Sequence, residues 1–90
     1  MLDVEKPVSQ WRNASQESKI ATCGIYLVVL GQDKLKIFIT DIDTLKSHAS
    51  NLANEVDRTL YSLSQPSYFL HRRTINDAIL TTIIRLNWFI

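Results

Sequence analysis

The stretch from Ile37 to Leu45 holds the residues of this chain whose types and spacing come closest to a chemical motif. An apolar run ends there in the sequence Asp41-Ile42-Asp43-Thr44. At the start of a helix, carboxylates have a structural role, because an oxygen can cap the first amides and a negative charge favours the positive end of the helix dipole. We expect Asp43 to cap a helix and Asp41 to lie beside its positive end.

The same stretch resembles the first motif of the haloacid dehalogenase-like phosphotransferases. The resemblance covers residues 37–45 and implies Asp41 as the nucleophile, Asp43 as a general acid/base, and a magnesium ion between the substrate and the end of the strand. That family also uses a parallel sheet with a downstream Ser/Thr, a Lys and an acidic pair, on a chain longer than 90 residues. The capping role is therefore the favoured interpretation, and we expect the protein not to be an enzyme.

The other candidates for chemistry are isolated residues. His48 and His71 are the two histidines, and no Cys or Glu accompanies either at metal-ligand spacing. The single Cys23 cannot form an intramolecular disulfide, and we expect it to be a buried small hydrophobe. The sequence contains no Gly-rich phosphate loop and no CxxC pair. We expect neither a metal ion nor another cofactor.

A basic cluster is the best candidate for contact with a partner. His71, Arg72 and Arg73 follow Tyr68 and Phe69, and basic residues interleaved with aromatics can grip phosphates and stack bases. On the predicted sheet, Lys34 and Lys36 would extend the cluster. The net charge of the whole chain is only +1, so nucleic acid is the alternative to an acidic protein partner.

The predicted elements that position these residues begin with a β-hairpin. Residues 20–30 and 34–41 carry apolar side chains at every odd position from Ala21 to Val29 and from Leu35 to Ile39. Alternate residues of a strand share a face, so the pattern predicts two antiparallel strands with a buried odd face. A three-residue loop, Gly31-Gln32-Asp33, keeps the parity and places Tyr26 opposite Phe38.

The segments around the hairpin predict helices. Residues 1–8 are expected to form a flexible tail, followed by a short helix that Ser9 caps and Trp11 anchors. A narrow apolar stripe predicts a long amphipathic helix over residues 44–63. Residues 75–89 are predicted to form an apolar helix that begins at a capping box, Thr74 to Asp77. The alternative for this last segment is a third strand, because its even positions from Leu80 onward are also apolar.

These elements predict one small α+β domain over residues 9–90, with more apolar surface than one hairpin and one helix cover. Self-association would bury the surplus. The predicted function is a non-enzymatic protein–protein interaction or regulatory module that acts as a homo-oligomer, in the cytoplasm and away from membranes. The alternative is a small nucleic-acid-binding protein that uses Arg72 and Arg73. The candidate oligomer interface comprises Tyr26, Phe38, Leu80, Ile84, Trp88, Phe89 and Ile90.

Overall fold

The computed structural model describes residues 2–62 and 73–90, with side chains as far as residue 60 in the first range. These residues form a helical domain. In chain order the helices are α1 (Val8–Arg12), α2 (Gln16–Leu30), α3 (Ile42–Ser62) and α4 (Ile75–Arg85). The prediction of an α+β fold is wrong, since no strand occurs in either described range.

The first predicted strand, residues 20–30, is in fact most of helix α2. The hydroxyl of Ser15 accepts a hydrogen bond from the amide of Ser18 and caps the helix, and Glu17 lies in its first turn. Gly31 ends it with φ of 79°, a conformation that favours glycine. Because residues 20–30 are apolar at almost every position, they satisfy a period of two and a helical period equally well. The capping residues Ser15 and Gly31, one at each end, favour the helix.

The second predicted strand, residues 34–41, lies mostly in the loop between α2 and α3. Leu35 is 2% exposed, and its side chain packs into the core from this loop. Its backbone pairs with Phe89 in an isolated β-bridge. The amide of Lys36 donates to the carbonyl of Trp88, and the amide of Ile90 donates to the carbonyl of Lys34. Leu35 therefore pairs with Phe89, near the end of the chain, instead of with Val29.

The long helix was predicted correctly apart from its start. Helix α3 starts at Ile42, two residues before the predicted position. Its apolar stripe faces the core, where the buried members are Ala49, Leu52, Ala53, Val56 and Leu60. Spacings of three and four residues bring one face of a helix onto the core, and this pattern is visible in the sequence.

The helical interpretation of the last segment is confirmed for residues 75–85, and the third strand is not formed. The hydroxyl of Thr74 accepts a hydrogen bond from the amide of Asp77, as the capping box predicts. Residues beyond α4 leave the helix through Asn87, whose φ is 61°. This turn folds Trp88 back onto α3, where its ring meets the ring of His48 edge-on at 5.8 Å.

The N-terminal part of the chain also contacts the core. Trp11 is completely buried, which confirms its role as an anchor. The prediction that Ser9 caps the helix is wrong, because α1 starts at Val8 after Pro7 and Ser9 lies inside it. Within the stretch predicted to be a tail, Leu2 and Val4 pack against the core. Backbone hydrogen bonds join residues 4, 6 and 8 to residues 76, 75 and 73 at the start of α4.

Candidate interaction surface

The solvent-facing side of α2 carries an apolar ridge, which we define as Ile25, Val28 and Val29. Their exposed fractions are 43%, 62% and 77%. The opposite side of α2 carries the buried Cys23 and Leu27. Helix α2 is thus apolar on both sides, and the described residues cover only one of them. Contiguous exposed apolar residues in a small protein are a candidate contact surface for another molecule.

A first groove runs between α2 and α3 beside the ridge. It has a volume of about 640 Å³. Its floor contains Gly24 and Ala49, and the Cβ of Ala49 lies 3.8 Å from where a side chain at Gly24 would begin. The other lining residues are Glu17, Ile20, Ala21, Ile25, Val28, Leu45, Lys46 and Ser50. Small residues at the centre and larger apolar residues around them make a groove that can receive a side chain from another helix.

A second, smaller groove lies on the other side of the ridge. It has a volume of about 420 Å³ and is lined by Val4, Thr22, Ile25, Tyr26, Val29, Leu30, Asn76 and Leu80. The hydroxyl of Tyr26 donates a hydrogen bond to the side-chain oxygen of Asn76 and joins α2 to α4 there. Ile25 lines both grooves, so it lies on the boundary between them.

A polar cluster under α2 fixes which side of the helix faces solvent. Lys19 is 5% exposed and forms a 3.0 Å ion pair with Asp57 of α3. The indole nitrogen of Trp11 donates to the same carboxylate oxygen at 2.8 Å. Because a buried charge must keep its partner, rotating α2 to hide the ridge would break this ion pair.

The predicted interface residues are spread over several places in the structure. Phe38, Ile84 and Ile90 are 74%, 65% and 78% exposed, from the α2–α3 loop, α4 and the chain end respectively. Tyr26 and Leu80 line the second groove. Trp88 and Phe89 are partly buried against the core. Whether any of them joins an interface stays a prediction, and the ridge was missed because residues 25, 28 and 29 were assigned to a strand.

One sequence signal could have revealed the ridge. In a helical projection of residues 16–30, Glu17, Ala21 and Val28 fall on one side, with Ile25 beside them. The buried stripe Lys19, Cys23 and Leu27 falls on the other side. A helix that is apolar on all sides is expected to be packed against other residues on every side. None of the described residues covers Val28 and Val29, which are largely exposed.

The predicted basic cluster is only partly described. His71 and Arg72 lie outside the described residues. Arg73 precedes α4, and its carbonyl accepts a hydrogen bond from the amide of Val8. Lys34 and Lys36 are both exposed and flank the buried Leu35.

The two carboxylates of the phosphotransferase-like motif act at the start of α3. Asp41 accepts hydrogen bonds from the amide and the hydroxyl of Thr44, at 2.8 and 2.7 Å. These bonds lower the pKa of Asp41, with the backbone bond as the larger cause. Asp41 is therefore the cap, and Asp43 lies in the first turn, which corrects the assignment of the cap to Asp43. The parallel sheet that the resemblance implies is not found in the described residues.

The burial expected for Cys23 is confirmed. Its side chain is fully buried on the side of α2 that faces the core. Burial raises the pKa of its thiol from 9.0 to about 12, with a smaller contribution from the negative charge of Asp57. The thiolate is the nucleophilic form of cysteine, so this side chain has a packing role.

The remaining findings concern metal ions, membranes and known proteins. No group of His, Cys, Asp and Glu side chains in the described residues is arranged to hold a metal ion. Within the same residues, no helix is long and apolar enough to cross a membrane. The chain matches no protein-family model, no curated protein and no solved structure.

Proposed function

We propose that this protein is a non-enzymatic interaction or regulatory module that acts as a homo-oligomer through the apolar ridge of α2. The observation that carries the proposal is the exposure of Val28 and Val29, at 62% and 77%, beside two apolar grooves. Burying an aliphatic side chain of this size is worth about 1.5–3 kcal/mol. The ridge therefore offers a substantial driving force for association.

The fold supports this role because the ridge is presented rigidly. The ion pair of Lys19 with Asp57 and the hydrogen bond of Tyr26 to Asn76 hold α2 on two sides. A preformed surface loses little conformational entropy when it binds. The ridge is thus built to contact another protein without refolding.

The experiment is sedimentation equilibrium over a range of concentrations that reaches tens of micromolar. We expect the wild-type chain to associate and the double variant Val28→Asp/Val29→Asp to sediment as a monomer, because two charges cannot be buried in an apolar contact. Ile84→Asp on α4 is the comparison variant, since Ile84 is 65% exposed and belongs to the interface predicted from the sequence: it should leave association unchanged if the ridge is the contact surface. A wild-type chain that stays monomeric throughout contradicts the proposal.

Nucleic-acid binding remains the second candidate, and one observation favours it. Lys34 and Lys36 are both exposed and flank Leu35 in a segment that backbone bonds tie to residues 88 and 90, so two cations lie close together on this side of the domain. If this side binds phosphates, a labelled oligonucleotide should bind at low salt and weaken steeply as salt rises. The double variant Lys34→Glu/Lys36→Glu should then lose the binding, and an absence of binding at low salt would exclude this function.

A further inference from the structure

The two ends of the first groove carry opposite charges. Helices α2 and α3 run antiparallel, as the contacts of Lys19 with Asp57 and of Gly24 with Ala49 show. Glu17 therefore lies at one end of the groove, and Lys46 lies at the other end, beside Val28 and Leu45. At 1.5 Å per residue, the two positions are about 15 Å apart along the helices.

Both of these charged residues are exposed on the rim of an otherwise apolar groove. Neither Glu17 nor Lys46 has an ion-pair partner within residues 2–60 and 73–90. Unlike Lys19, which is paired beneath α2, neither charge is used in an ion pair within the described part of one copy. Both can therefore form ion pairs with a molecule that binds in the groove.

We propose that the partner of the ridge is a second copy of this chain, joined by a two-fold axis that crosses the first groove. Helix α2 of each copy lies antiparallel in the groove of the other, and Glu17 of each copy pairs with the partner's Lys46. This inference rests on the proposed function and specifies its contact surface.

The arrangement of charges is the first argument for a second copy. An isologous interface uses the same patch twice, so the patch must be complementary to itself. A two-fold axis perpendicular to the groove exchanges its two ends, which brings an acidic end onto a basic end at both sides. A groove with like charges at its ends would repel its own copy. With a net charge of +1 per chain, long-range repulsion between copies is weak.

The shape of the groove is the second argument. Four of its lining residues are small, Ala21, Gly24, Ala49 and Ser50, which allows the backbone of another helix to come close. Ile25, which lies between the two grooves, is 43% exposed, and it would insert between the small residues of the partner's groove. Helices α2 and α3 of both copies then form a four-helix arrangement, in which Val28 is buried and Val29 remains on the side of the second groove.

Charge reversal across two copies tests the pairing. We expect Glu17→Lys and Lys46→Glu, each alone, to weaken dimerisation roughly tenfold or more, because each creates two like-charge contacts per dimer. An equimolar mixture of the two single variants restores every pair between copies. The mixture should therefore dimerise within about threefold of the wild-type affinity, measured by sedimentation velocity with one variant labelled.

The controls distinguish this inference from the proposed function. Val28→Asp should abolish dimerisation, while Val29→Asp should change it little, and circular dichroism should show that both variants are folded. If the wild type associates but charge reversal has no effect, or if only Val29→Asp disrupts association, the two-fold pairing is wrong and the proposed function stands. If the mixture dimerises no better than its components, the pairing is also wrong. A monomeric wild type contradicts both proposals.

Discussion

The ammonium group of Lys19 lies 3.0 Å from the carboxylate of Asp57, with side-chain exposures of 7% and 19%. The same carboxylate accepts the indole N–H of Trp11. One acidic residue of α3 therefore satisfies a buried charge on α2 and a buried donor on α1. Through this residue, three helices are held in one arrangement, and the orientation of the ridge depends on it.

Removing this carboxylate should be costly. Asp57→Ala leaves the Lys19 ammonium and the Trp11 indole without their shared partner, and we expect a loss of about 3–5 kcal/mol in the free energy of unfolding. Urea denaturation measures the loss. Arg58→Ala is the matched control, because Arg58 pairs with Glu55 on the surface with 72% of its side chain exposed. The control should cost less than about 1 kcal/mol, and equal losses in both variants would contradict the account.

The ion pair between Lys19 and Asp57 could not be predicted from the sequence. Lys19 and Asp57 are 38 positions apart, and a lysine between polar and apolar neighbours predicts nothing about its burial. The stripe of α3 and the cap at Thr74 were predictable, because both are local patterns with a helical period. Residues 25, 28 and 29 were misassigned because an evenly apolar segment carries no period. Because of that assignment, the apolar ridge was not predicted from the sequence.

The two glycines of the chain should respond oppositely to alanine. Gly24 is inside helix α2, and a Cβ there would lie 3.8 Å from the Cβ of Ala49, an ordinary contact. Gly24→Ala should stabilise the protein by about 0.5–1 kcal/mol through its helix propensity. Gly31 has φ of 79°, and a Cβ would lie 2.9 Å from a carboxylate oxygen of Asp33. Gly31→Ala should destabilise by about 1–3 kcal/mol.

Thermal unfolding of both glycine variants at low protein concentration checks these signs. Low concentration is needed because Gly24 also lies in the floor of the first groove, where a methyl group would interfere with docking. Two shifts of the same sign would show that the conformation at Gly31 or the packing at Gly24 differs from that described.

Cys23 should make stability fall at alkaline pH. Its pKa is about 12 in the folded chain, against 9.0 for an ordinary thiol, so the folded state holds the proton that the unfolded state releases. The contribution is fully present below pH 9.0 and is lost as the pH rises toward 12. Within this window the free energy of unfolding should fall by up to about 1.4 kcal/mol per pH unit.

Urea denaturation between pH 8 and pH 11 measures this loss, and Cys23→Ala is the control. The variant keeps all other titrating groups, including Tyr26, whose pKa is raised mainly by burial. The difference in slope between the two proteins is therefore the share of Cys23, together with the part of the Tyr26 shift that the Cys23 thiolate causes. Parallel curves would contradict the burial of the thiol.

Asp41 should stabilise α3 as its cap, while Asp43 should matter less. Asp41→Ala removes the acceptor of two hydrogen bonds from Thr44 and should lower the midpoint of thermal unfolding more than Asp43→Ala does. Because hydrogen bonding lowers the pKa of Asp41 below 3.8, its contribution is present above that pH and is lost as the pH falls through the folded value. Asp41→Asn should retain most of the cap and remove this acid dependence. Melting curves from pH 2 to pH 6 check both effects, and a larger loss in Asp43→Ala would restore Asp43 as the cap.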